Sequence, residues 1–80
     1  MSMIIREYVL SARLEIEKVN ETFGLDLPES DDYLTVGGLI LNRYQSFPKL
    51  HEVIEVDNYQ FKIIKVTATK IELVRLKVIE

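Results

Sequence analysis

The apolar residues of this chain change their spacing once, and that change governs what it can fold into. Ile16, Val19 and Phe23, then Val36, Leu39, Ile40 and Tyr44, recur three or four positions apart, whereas from Glu52 onward apolar and polar residues alternate. The first spacing lines one face of an α-helix and the second lines one face of a β-strand. Helices therefore precede strands, the order expected of an α+β fold with helices packed on an antiparallel sheet.

Punctuation residues set the boundaries. Glu15, Glu17, Lys18 and Glu21 fall off the apolar stripe of the first helix, whose early acidic residues suit its N-terminal dipole. Gly24 followed by Leu25 predicts a glycine C-cap with a hydrophobe folding back onto the last turn. Pro28 and the acidic residues after it make residues 25–32 a loop. Thr35 is an N-cap for the second helix, with Val36, Leu39, Ile40 and Tyr44 facing inward, and Pro48 stops it.

Residues 53–56 and 59–63 form a hairpin across Asp57-Asn58, a pair that tolerates the positive φ of a two-residue turn. A second connection at 67–70 leads into a strand over 71–79. Alternation slips at Ile63-Ile64 and at Leu73-Val74, which predicts a β-bulge or burial on both faces in each strand. Residues 4–10 also read as a strand, centred on Glu7-Tyr8-Val9-Leu10. This strand is too far from the others for a hairpin and joins their sheet after the helices have crossed one face. The expected architecture is β-α-α-β-β-β, two helices on a roughly four-stranded, mostly antiparallel sheet, with residues 1–80 as one domain.

Composition narrows the chemistry. With no cysteine among 80 residues there is no disulfide framework, thiolate metal site or cysteine nucleophile. Hydrophobic residues at 48% and charged residues at 29% are those of a folded globular chain. Up to Ile40 there are 3 basic against 8 acidic residues, and beyond it 7 against 5. The scattered Lys and Arg lack the basic stripe that nucleic acid needs, while the asymmetry permits head-to-tail contact with another copy or a partner. No apolar run is long enough to span a bilayer, and residues 1–6 lack a signal-peptide core, so a soluble piece is expected.

The single histidine, His51, has neither Ser30 nor Ser46 in a catalytic context and reads as a surface-turn residue, so the expectation is no enzyme. Asp26, Glu29, Asp31 and Asp32 are weak candidates for a hard cation, but the stretch lacks an EF-hand's central glycine and contains Pro28. A solvated loop is the preferred reading. Gly37-Gly38 in a helical turn costs about 1 kcal/mol per glycine relative to alanine. Close packing explains the pair, and the sharper alternative is an anion received on bare amides at the helix start. Tyr33, Tyr44, Phe47, Tyr59 and Phe61 do not interleave with basic residues and are expected mostly in the core.

In order, Tyr8-Val-Leu, Asn20-Glu-x-x-Gly-Leu-Asp-Leu-Pro, Tyr33-x-Thr-Val-Gly-Gly-Leu, Phe47-Pro and Glu52-Val resemble the transporter-associated domain of the CorC/HlyC family over nearly the whole chain. The resemblance implies a domain that usually ends a longer protein, after a membrane region and a pair of CBS nucleotide-sensing modules. It implies links to magnesium and cobalt efflux, hemolysin-like proteins and some sodium/proton antiporters. The implied fold is similar to a subdomain of vanillyl-alcohol-oxidase-type FAD-binding proteins, although flavin is not the expected ligand. The implied role is a non-catalytic accessory domain at the cytoplasmic face of the membrane, regulating its parent by docking or by a small ligand. The CBS and membrane domains are its implied partners, and a homodimerising module is the alternative. A nucleotide-like ligand would sit at Thr35, Gly37 and Gly38. The sequence departs from the family pattern at Leu50-His51, where a glycine turn is common, and the chain reads as an excised domain with Met1-Ser2-Met3 as residues not native to it.

Overall fold

A computed structural model describes residues 4–79, so Met1-Ser2-Met3 lies outside the described residues. Strand β1 (Ile4–Ser11) is followed by helices α1 (Ile16–Phe23) and α2 (Val36–Tyr44), then by β2 (Val53–Val56), β3 (Tyr59–Val66) and β4 (Ile71–Ile79). The four strands form one antiparallel sheet in the order β1-β4-β3-β2. The first strand thus enters the sheet beside the last, as its distance from the hairpin required.

Alternation sorts the sheet into two faces. Tyr59, Phe61 and Ile63 of β3 and Val74, Leu76 and Val78 of β4 point inward, where they meet Ile16 and Val19 of α1 and Val36, Leu39 and Ile40 of α2. Each such side chain contributes about 1.5–3 kcal/mol by leaving water. On β3, Ile63 pairs with Val74 and Lys65 with Leu73, so Ile64 is the extra residue, at the expected Ile63-Ile64 slip. On β4 the slip lies earlier than the expected Leu73-Val74. Val66 pairs with Ile71, which leaves Glu72 without a partner on β3, and Val74 is already back in phase and fully buried.

Gly24 closes α1 at φ 64, and Leu25 folds back into the core with its N–H on the Asn20 carbonyl at 3.1 Å. The Asn20 side chain then acts as a surrogate peptide group. Its Nδ2 donates to the Leu27 carbonyl at 3.0 Å, and its Oδ1 accepts the Leu27 N–H at 2.8 Å. Tyr59 Oη accepts the Asp26 N–H, and Tyr33 Oη donates to the Pro28 carbonyl. The loop between the helices is therefore tied down, which seats Leu25 and Leu27 among the core residues.

Two inward assignments do not hold. Tyr44 and Phe47 are each 39% exposed, because Gln45 turns the chain out of α2 with φ 57 one residue after Tyr44. Among the five aromatic candidates, Tyr59 and Phe61 are core and Tyr33 is half-buried. The hairpin turn also differs in detail, with positive φ at Asp57 but not at Asn58.

Candidate functional site

At the start of α2 the Gly37-Gly38 pair admits either close packing or an anion. Thr35 caps it as expected, its Oγ1 accepting the Gly38 N–H at 3.1 Å. The Val36 N–H donates to the Leu14 carbonyl, the Gly37 N–H to the Ala12 carbonyl and the Leu39 N–H to the Thr35 carbonyl, each at 2.9 Å. Every amide that would hold an anion in the first turn already has an acceptor within the chain. A Cβ on Gly37 would lie 3.2 Å from the Ala12 carbonyl oxygen, and one on Gly38 would lie 3.0 Å from Tyr33 Cβ. Close packing accounts for both glycines. The amides of Gly37 and Gly38 are thus engaged within the chain, and the Thr35 hydroxyl is spent on capping.

Beside this helix start, Ala12, Arg13, Thr35, Gly37, Gly38, Leu41 and residues 69–72 surround an open depression of about 530 Å³. Arg13 and Lys70 place cationic side chains there and Thr69 adds a hydroxyl, whereas Glu72 is engaged with Lys65 at 3.6 Å. Sequence reading missed Arg13 and Lys70, which lie 57 positions apart and carry no local motif.

The acidic residues do not assemble. Asp26, Glu29, Asp31 and Asp32 are all exposed, and among the described residues no three His, Asp or Glu side chains come together as metal ligands. The side-chain cap of α2 is Thr35, and no acidic residue lies in its first turn.

The return from α2 to the sheet is built differently. Pro48 is buried, but Leu41, Tyr44, Phe47, Leu50 and Val53 are five of the eight large hydrophobics exposed on the described surface. Several of them line a shallow depression of about 410 Å³ with Lys49, His51 and Glu52. Glu52 organises this segment, its carboxylate accepting from the Tyr44 hydroxyl and from the Lys49 N–H. His51 adopts φ 70, its N–H donates to the Ile63 carbonyl, and the Ile63 N–H donates to the Glu52 carbonyl. This is a glycine-type β-bulge with histidine in the left-handed position. It explains why a glycine turn suits this point, and it leaves His51 a surface-turn residue.

The same fold recurs among solved structures. The model of the CorC_HlyC family, described as a transporter associated domain, matches residues 5–80. The chain belongs to this family. It is 31% identical over 71 residues to the magnesium and cobalt efflux protein CorC of Escherichia coli strain K12, covering 89% of this chain and 24% of that protein. It is 30% identical over 70 residues to a possible hemolysin C of Rickettsia canadensis, covering 86% of this chain and 24% of that one. Among solved structures, a CorC-associated region from Neisseria meningitidis superposes with a TM-score of 0.82 at 22% identity, over 90% of this chain and 88% of that one. The CorC/HlyC domain thus spans about a quarter of the curated relatives it matches, as an accessory portion of larger proteins. Among the described residues no helix is long and apolar enough to cross a membrane.

Proposed function

We propose that this CorC/HlyC domain is a non-catalytic regulatory piece of a magnesium- or cobalt-type ion transporter, acting by docking on its parent at the cytoplasmic face of the membrane. The observation that carries this reading is the exposed apolar trio Tyr44, Phe47 and Leu50, which lines one depression held in shape by Glu52. Apolar surface gathered this way marks an interaction site. The occupant is the remainder of the parent chain, its CBS modules and membrane region, because the relatives are about four times longer than the segment matched. Docking that favours one transport state changes activity by the difference in contact energy between states.

The test uses a full-length parent carrying F47S and L50S together, two exposed positions whose replacement leaves the core intact. Magnesium efflux from cells is expected to match that of a parent lacking the whole domain. Efflux like that of the unaltered parent, when the deletion does change it, overturns the docking site.

A second reading is favoured by the convergence of Arg13 and Lys70 beside Thr35 and Thr69. A small anionic, nucleotide-like ligand would be held there by side chains and not by the amides of α2.

A further inference from the structure

The two ends of the sheet leave edges of unequal kind. The Ala12 N–H donates to the Glu72 carbonyl at 2.9 Å and continues the β1–β4 register, in which Ser11 faces Leu73. Bonded and non-bonded pairs alternate along an antiparallel ladder. Leu10 with Val74 and Tyr8 with Leu76 are therefore the bonded pairs, and the backbones of Glu7, Val9 and Ser11 face outward. The opposite side of β4 agrees, since the Ile79 N–H donates to the Asn58 carbonyl and assigns the odd-numbered residues of β4 to β3. The Ser11 carbonyl accepts the Leu14 N–H at 3.2 Å, and no other turn or loop bond engages this outer row among the described residues.

Natural sheets blunt such an edge with lysine, proline or brevity. At the other end β2 is only 4 residues long. By contrast, β1 is 8 residues long, and over residues 7–11 it has neither lysine nor proline, with Val9 58% exposed at its centre.

We infer that two copies of this chain pair antiparallel through β1 about a two-fold axis at Val9, joining their sheets into one. This register sets Val9 against Val9 of the second copy, Tyr8 against its Leu10 and Glu7 against its Ser11. The outward amides then meet outward carbonyls, and the exposed Val9 side chain is covered by its own counterpart. Centring on Glu7 would oppose two carboxylates, and centring on Tyr8 would set each Glu7 against a valine, so charge and polarity select Val9. The seam lies at the far end of the sheet from Phe47 and Leu50, and its failure is separable from that of the docking reading.

Sedimentation of the chain together with V9K and V9C variants tests the pairing. The unaltered chain is expected to sediment as a dimer, and V9K as a monomer with an unchanged circular dichroism spectrum, because two lysines would meet at the axis. The V9C variant has no competing thiol and is expected to oxidise to a covalent dimer faster than V53C on the β2 edge, since directly opposed residues fall within disulfide reach. In hydrogen exchange, the Val9 and Ser11 amides are expected to be slow in the unaltered chain and fast in V9K. A monomer at millimolar concentration, a dimer that survives V9K, or equal oxidation of V9C and V53C overturns the pairing.

Discussion

The two ends of α2 use glycine in opposite ways. At its start, Gly37 and Gly38 have ordinary helical backbones and stand where a Cβ would crowd Ala12 or Tyr33 at 3.2 and 3.0 Å. At its end and in the turn that follows, Gln45 and His51 occupy left-handed conformations at φ 57 and φ 70 with full side chains. Glycine stands where a Cβ would collide and is absent where its backbone freedom would help. The first end is a closed joint whose amides are all engaged. The second stores backbone strain beside exposed apolar residues, a combination found where surfaces are kept for binding.

Filling the closed joint should have the largest effect. G37A and G38A are each expected to lower unfolding stability by about 2 kcal/mol in urea titrations, because overpacking outweighs the gain in helix propensity. Inorganic phosphate or ATP should leave that loss unchanged, and a loss reversed by either would return an anion to the α2 amides. Removing the cap is expected to cost less. T35A should lower stability by about 1 kcal/mol, with the Gly38 amide exchanging faster by NMR. A cost near zero would mean that backbone acceptors alone hold the helix start. The smallest effect has the opposite sign. H51G should raise stability by about 0.5–1 kcal/mol, because glycine enters the left-handed region without strain. A loss instead would show that the His51 side chain makes a contact that offsets its backbone.

Most of the fold could be read from local signals. The change of period located both helices and three strands, Gly24 and Thr35 marked helix ends, and Ile63-Ile64 marked a bulge. What escaped depended on side-chain hydrogen bonds and on the point where a helix ends, neither of which the apolar spacing encodes. The Asn20 side chain bridges to Leu27, and nothing in the apolar spacing requires it. Tyr44 continues the helical stripe in sequence but emerges at the surface, because the helix ends one residue later. The candidate surfaces were less legible than the core. The Gly37-Gly38 pair was noticed and its packing role anticipated, whereas Arg13 and Lys70 meet only through tertiary folding. Leu50-His51 appeared as a departure from the family pattern, and only the backbone shows that the turn persists with histidine in place of glycine.

The sheet order has a consequence for how the molecule comes into being. Strand β1 has one neighbour, and that neighbour is β4, the element farthest from it in the described sequence. During synthesis Tyr8, Val9 and Leu10 wait with both sides of their backbone open until residues 74–76 emerge to meet them. Closing so long a loop makes the β1–β4 ladder a slow step in assembly. For that interval the nascent chain is an incomplete sheet whose first strand is free to be captured by another molecule.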